Sequence, residues 1–155
     1  MKKLIISLLL VGACKTTTVQ SPPTTTSAPV SSVSGPGAAD AQGAVRGFMA
    51  AAKQTDLQAL GSLWGDKEGP ARDRYPRDEL EKRGIIMTRC LRHDSYDIVG
   101  DAPAVGGARA MVINLRLGDL SRSAEFLVVR GPSQRWYVQD VVNMMARLQD
   151  ICQHK

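Results

Sequence analysis

The chain has 155 residues, with 20 Lys and Arg against 15 Asp and Glu, for a formal charge of +5. Once a leader and a tether are set aside, that length leaves room for one domain of ordinary size, large enough to bury a core. So small a charge excess is no electrostatic footprint for nucleic acid, which demands a clustered basic face, and nucleic-acid binding is set aside.

Lys2 and Lys3 open the chain, the apolar run Leu4 to Leu10 follows, and then come small residues. This is the order of a secretory signal peptide, and the run is too short to span a bilayer, which takes about 20 apolar residues. Val11-Gly12-Ala13-Cys14 resembles the lipobox of bacterial lipoproteins. The resemblance implies that residues 1–13 are removed and that Cys14 becomes the lipid-bearing N-terminus. Each buried acyl CH₂ contributes about 0.8 kcal/mol, so several chains make such an anchor effectively permanent. Lys15 stands where lipoproteins kept at the inner membrane carry aspartate, which favours an outer-membrane destination. Loss of Lys2 and Lys3 leaves 18 basic and 15 acidic side chains.

From Lys15 to Gly37 the chain is mainly Thr, Ser, Pro, Val and Gly, with no charge after Lys15. Such a segment cannot bury enough apolar surface to offset its ordering entropy. Residues 14–37 therefore read as the lipidated cysteine and a flexible tether spanning roughly 30 Å. A glycosylated or wall-binding stalk is the functional alternative for the same Thr- and Ser-rich composition. Residues 38–155 make the domain.

Asp40 is a candidate N-cap, and Val45, Phe48, Met49 and Ala52 behind it recur at the spacing of one helix face. Thr55 and Gln58 form a capping-box pattern before Leu57, Leu60, Leu63 and Trp64, predicting a second, short helix that stops near Gly65. Asp66 to Tyr75 reads as a charged loop. Pro76 suits the first position of a third helix whose acids Asp78, Glu79 and Glu81 come early and whose bases come late, with Leu80, Gly84, Met87 and Leu91 on its buried side. Arg72, Arg74, Arg77, Lys82, Arg83, Arg89 and Arg92 suggest a basic patch for lipid head groups or acidic glycans. The acid-first i, i+4 pairs Asp73–Arg77, Asp78–Lys82 and Glu79–Arg83 suggest an ordinary solvated helix instead.

After His93 the period changes to two. Ser95 to Val99 predicts a strand, Asp101 to Gly107 a turn, and Ala108 to Leu117 a second strand with Met111, Ile113, Leu115 and Leu117 on one face. Gly118-Asp119 is a hairpin signal, Ser121 to Arg130 returns, Gly131 to Gln134 turns, and Arg135 to Val141 closes the sheet. The fold class is α+β: N-terminal helices packed on a curved antiparallel sheet of about four strands. Val141, Met144, Met145, Leu148 and Cys152 add a C-terminal amphipathic helix.

Helices first, antiparallel sheet after and a last strand reading Arg135-Trp136-Tyr137-Val138-Gln139-Asp140-Val141 resemble the nuclear transport factor 2-like superfamily. That resemblance implies a cone in which the sheet wraps the helices and leaves a pocket. It also implies a choice among isomerase- or dehydratase-like enzymes, small-ligand binders and envelope proteins. The tail helix departs from the family and would cap the pocket mouth or a sheet edge.

With Cys14 lipidated, two cysteines remain, and an even pair in an oxidising compartment suggests a Cys90–Cys152 disulfide. Free thiols and a zinc site of Cys90, His93, Cys152 and His154 are the alternatives, the zinc set weakened by its one-residue spacing near the chain end. There are only two histidines, and G-x-S-x-G, a phosphate-cradling glycine loop and a metalloprotease helix motif are all missing from the sequence. His93 with Asp94, or Asp97 or Asp140 as a carboxylate base, are the residues an isomerase-like pocket would use, and their plain reading is an exposed turn and strand surface. Arg109, Asn114, Arg116 and Glu125 mark the solvent side of the sheet. The expected function is non-catalytic: a lipid-anchored envelope protein that meets the membrane through its N-terminal lipid and binds an envelope protein or a small apolar ligand, with no cofactor. A pocket enzyme of the ketosteroid isomerase or dehydratase kind and a structural envelope component are the alternatives.

Overall fold

The structure is a computed structural model that describes residues 35–154. The leader, the lipobox with Cys14 and most of the expected tether lie outside them. The described chain is α+β, with a four-stranded antiparallel sheet, a separate two-stranded hairpin and five α-helices among the described residues.

Helix α1 (Ala41–Gln54) starts where Asp40 Oδ1 accepts from the Gly43 amide at 2.6 Å. Its stripe of Ala44, Val45, Phe48 and Met49 is wholly buried. Thr55 closes it in the left-handed region, at φ 55°. The expected Thr55–Gln58 capping box is therefore absent: an N-cap is extended, and Thr55 is already committed to ending α1. Asp56, one residue on, is extended and caps α2 (Leu57–Leu63), its Oδ1 accepting from the amides of Gln58 at 3.1 Å and Ala59 at 3.0 Å.

The expected loop after α2 contains a hairpin of β1 (Gly65–Asp66) and β2 (Gly69–Pro70), followed by a 3₁₀ turn over Ala71–Asp73. Glycine is needed at position 65, where a Cβ would overlap Gly69 O and sit 2.9 Å from Pro70 Cα. Pro76 is the N-cap of α3 (Arg77–Cys90), one residue earlier than its expected place, a difference within the fraying of helix ends. Asp78–Lys82 at 3.5 Å and Glu79–Arg83 at 2.5 Å lace its surface, whereas Asp73 pairs with Arg72 at 3.6 Å instead of with Arg77. The missing side chain of Gly84 lets α3 approach α2, for a Cβ there would lie 2.9 Å from Leu57.

Strands β3 (Ser95–Pro103), β4 (Arg109–Leu117), β5 (Leu120–Arg130) and β6 (Trp136–Val142) pair in that order. β3 outruns its expected end at Val99. A bulge between Ile98 and Gly100 shifts the register by one residue, and Asp101, Ala102 and Pro103 go on to pair with Met111, Ala110 and Arg109. The proline is tolerated because β3 is an edge strand, so the turn shrinks to the residues after it. Met111, Ile113, Leu115, Ala124, Phe126 and Val128 face the helices, fully buried, and Phe126 meets Phe48 edge-on at 6.1 Å. On the opposite face Ala108, Val129 and Tyr137 make a smaller cluster.

β6 carries one extra residue opposite Leu127 and Val128, a bulge that turns both Val138 and Val141 toward the helices. Its outer edge is pinned by Ala38, which exchanges two backbone bonds with Trp136, and by a parallel bridge from Trp64 to Val138. The single tail helix expected from Val141 to Cys152 is replaced by two short ones. Val141 belongs to β6, Asn143 turns the chain at φ 53°, and α4 (Met144–Arg147) and α5 (Gln149–Gln153) meet at a break on Leu148. Leu148, Ile151 and Cys152, at i, i+3 and i+4, share the buried side of the tail while Met145 stays exposed. The Sγ atoms of Cys90 and Cys152 lie 2.07 Å apart, at bonding distance. Arg92 reinforces the joint by donating to the carbonyls of Ile151, at 3.4 Å, and His154.

Candidate functional site

The more apolar of two concavities of similar volume is a groove of about 480 Å³ between α3, the β1–β2 hairpin and the outer edge of β6. α1 contributes Phe48, α3 contributes Met87 and Ile86, β6 contributes Val138 and Val141, and the tail contributes Met144. One wall is aromatic: Trp64, where α2 ends, stacks on Tyr75, with centroids 5.5 Å apart and planes within 5°. Arg83 from α3 lies over both rings, 5.8 Å from Trp64 and 5.3 Å from Tyr75. The hairpin positions Asp66 against Arg74, which also reaches Glu68 at 3.0 Å. The hydrogen bond to Asp66 raises the Arg74 pKa against its partial desolvation, so this cation stays charged. Beyond the bridge at Val138, no other described segment pairs with the outer edge of β6, which leaves Gln139 to Val142 as open backbone beside an apolar floor.

Of the candidates from sequence, only Asp140 and the arginines Arg74 and Arg83 border this groove. His93 is buried, its Nδ1 2.8 Å from the Leu91 carbonyl and its ring edge-on to Tyr96. Asp94 is a staple rather than an acid–base partner: its Oδ2 accepts from the Gly118 amide at 2.8 Å, and its carbonyl accepts from Lys53 Nζ at 2.7 Å. Asp97 pairs with Arg116 at 2.8 Å. Asn114 accepts from Ser123 Oγ at 2.5 Å, and Glu125 lies 4.0 Å from Arg147.

Arg109 departs from its expected place on the solvent side. It shares a face with Met111 and Ile113 at the far end of β4, where the core gives way to the start of α1. There it donates to Asp101 at 2.6 Å, and this bond holds the Asp101 carboxyl below the usual carboxylate range despite some desolvation. The alternating pattern of β4 assigns the face correctly from Met111 onward. It misplaces Arg109 because a cation at a strand end reaches water from either face.

The zinc set does not form as drawn, since its two sulfurs are bonded to each other and an intact disulfide leaves no thiolate ligand. Among the described residues no group of three His, Cys, Asp or Glu gathers, and no helix is long and apolar enough to cross a membrane. Sequence reasoning missed the Trp64–Tyr75–Arg83 wall. Its three residues come from the end of one helix, a loop and the next helix, so no period links them. Set against known proteins, the chain matches no family model, no curated protein and no solved structure.

Proposed function

We propose that the protein is a lipid-anchored envelope lipoprotein whose single domain binds, in the groove between α3 and β6, a partner segment or small ligand with an apolar body. The lipobox at Val11 to Cys14 supports the anchor, and Lys15 the outer membrane. The domain reads as a nuclear transport factor 2-like cone with its sheet curved about the helices. Three helices ahead of four antiparallel strands support that reading.

The observation that carries the binding reading is the groove itself. Its volume lies within the range of small-molecule sites, about 300–1,000 Å³, and its lining combines apolar side chains with a few placed charges. The open edge of β6 can add backbone hydrogen bonds to an extended occupant. Proton-transfer chemistry is less well supported, because Asp66 is engaged by Arg74 and Asp140 is exposed on the sheet's outer edge.

Native mass spectrometry of the full protein, extracted from its own cells in mild detergent, tests the reading. The expected result is an acylated chain carrying a bound molecule or chain that Met144→Trp, which fills the groove, displaces. Equal occupancy in both proteins, or an empty wild-type chain, would overturn the binding site; an unacylated chain would overturn the anchor.

A further inference from the structure

We propose that the second half of α3 is a membrane-facing surface that lies on an anionic phospholipid bilayer. Lys82, Ile85, Ile86 and Arg89 stand at i, i+3, i+4 and i+7, which places them on one face of the helix, and all four are exposed. The opposite face, Gly84, Thr88 and Leu91, is buried. α3 is thus amphipathic twice over: one apolar side packs into the domain, and the outward side carries two isoleucines between two cations.

Ile85 is 52% and Ile86 49% exposed, and Met145, 58% exposed, sits beside the end of the same helix with its Sδ 3.8 Å from Cys90 Sγ. These are three of the five large apolar side chains left in water among the described residues; the other two, Val99 and Val105, lie in the β3 bulge and the loop after β3.

Charge selects the partner. The acids of α3, Asp78, Glu79 and Glu81, all fall in its first half, while residues 82–92 hold Lys82, Arg83, Arg89 and Arg92 and no acid. Arg89 makes no ion pair among the described residues, and the Lys82–Asp78 pair is solvent-exposed on both sides, so it gives way easily to a stronger field. A surface that pairs cations with exposed aliphatic side chains matches the interfacial region of a bilayer, where phosphates meet acyl chains. A cationic face disfavours a second copy of itself, since two such faces would bring like charges together. The inference goes beyond the groove, with which the face shares Ile86, and draws on the anchor reading only to bring the face near lipid: a flexible tether of some twenty residues would have a root-mean-square span of roughly 30 Å.

The test uses the full acylated chain in vesicles of phosphatidylglycerol with phosphatidylcholine, or of phosphatidylcholine alone. A photoreactive p-benzoylphenylalanine replaces Ile85 or, as a control, Val105, which is 97% exposed. Intact mass reports acylation, and a non-reducing peptide map checks the Cys90–Cys152 bond in each variant. Expected is phospholipid cross-linked at position 85 well above position 105, dependent on phosphatidylglycerol, and reduced about tenfold or more by Lys82→Glu with Arg89→Glu. Equal lipid cross-linking at the two positions, or cross-linking from position 85 to a second protein chain, would overturn the proposal. An unacylated chain that still cross-links lipid at 85 would remove the anchor and keep the face; an acylated chain that does not would remove the face and keep the anchor.

Discussion

Replacing both Cys90 and Cys152 with serine should lower the melting temperature by about 15 °C. The two residues are separated by 62 positions, and closing a loop of that length removes unfolded-chain entropy worth about 4 kcal/mol at 25 °C. Unfolding about 120 ordered residues, at about 2.1 cal/mol/K each, carries an entropy near 0.25 kcal/mol/K, which converts the loss into a shift of that size. The double variant avoids a lone thiol beside Met145, and both positions are buried, so reduction of the wild-type bond should proceed mainly through opening of the fold. Calorimetry on the full protein in detergent gives the shift. Urea titration should show a larger slope for the variant, because its released unfolded chain exposes more surface. The same shift should appear when the wild-type protein is fully reduced. A drop below about 5 °C, with the bond verified in the wild type, would refute the entropic account.

Three further outcomes follow from the geometry. Asp56→Ala should cost about 1 kcal/mol through loss of the α2 cap, while Thr55→Gly should stabilise by up to about 1 kcal/mol by relieving a left-handed threonine, both read from urea melts; the opposite ordering would restore the Thr55 capping box. Gly65→Ala should cost about 1–3 kcal/mol, since the new Cβ meets hairpin backbone that cannot give way, and should disturb the Trp64 environment seen by fluorescence. The lowered pKa of Asp101 means that its contribution is fully present above the unfolded carboxylate value and is lost as pH falls through the folded one. Arg109→Ala should therefore cost at most about 1 kcal/mol at neutral pH, lose that deficit in acid, and return the Asp101 titration by NMR toward the ordinary range.

What could be read from the chain was periodic. The α1 stripe, the β4 alternation and the Gly118-Asp119 hairpin each repeat a local geometry, so their register emerged with no knowledge of partners. The errors fall where a residue answers to something distant in sequence. Thr55 reads as a cap until α1 is seen to need it as a terminus, and Pro103 reads as a turn until β3 is known to be an edge. The tail reads as one helix because its apolar spacing is helical throughout; Val141 is drawn instead into β6, where it pairs with Phe126, and the interruption at Leu148 carries no Gly or Pro to announce it. The groove was least legible, since its wall is a meeting of Trp64, Tyr75 and Arg83 that only tertiary packing brings about.

The pinning of β6 also sets an order of events in time. Its outer edge bonds to Ala38 and Trp64, and Arg135 just before it holds the Gly37 carbonyl across 98 positions. The helices thus wait on the strand of the sheet that is synthesised after the other three. Long loops must close before those contacts are gained, which makes assembly slow and late. A chain still emerging from a ribosome or passing through a pore would remain open until β6 arrives, and one released without it would keep α1 and three strands but lack the strand that bolts them together.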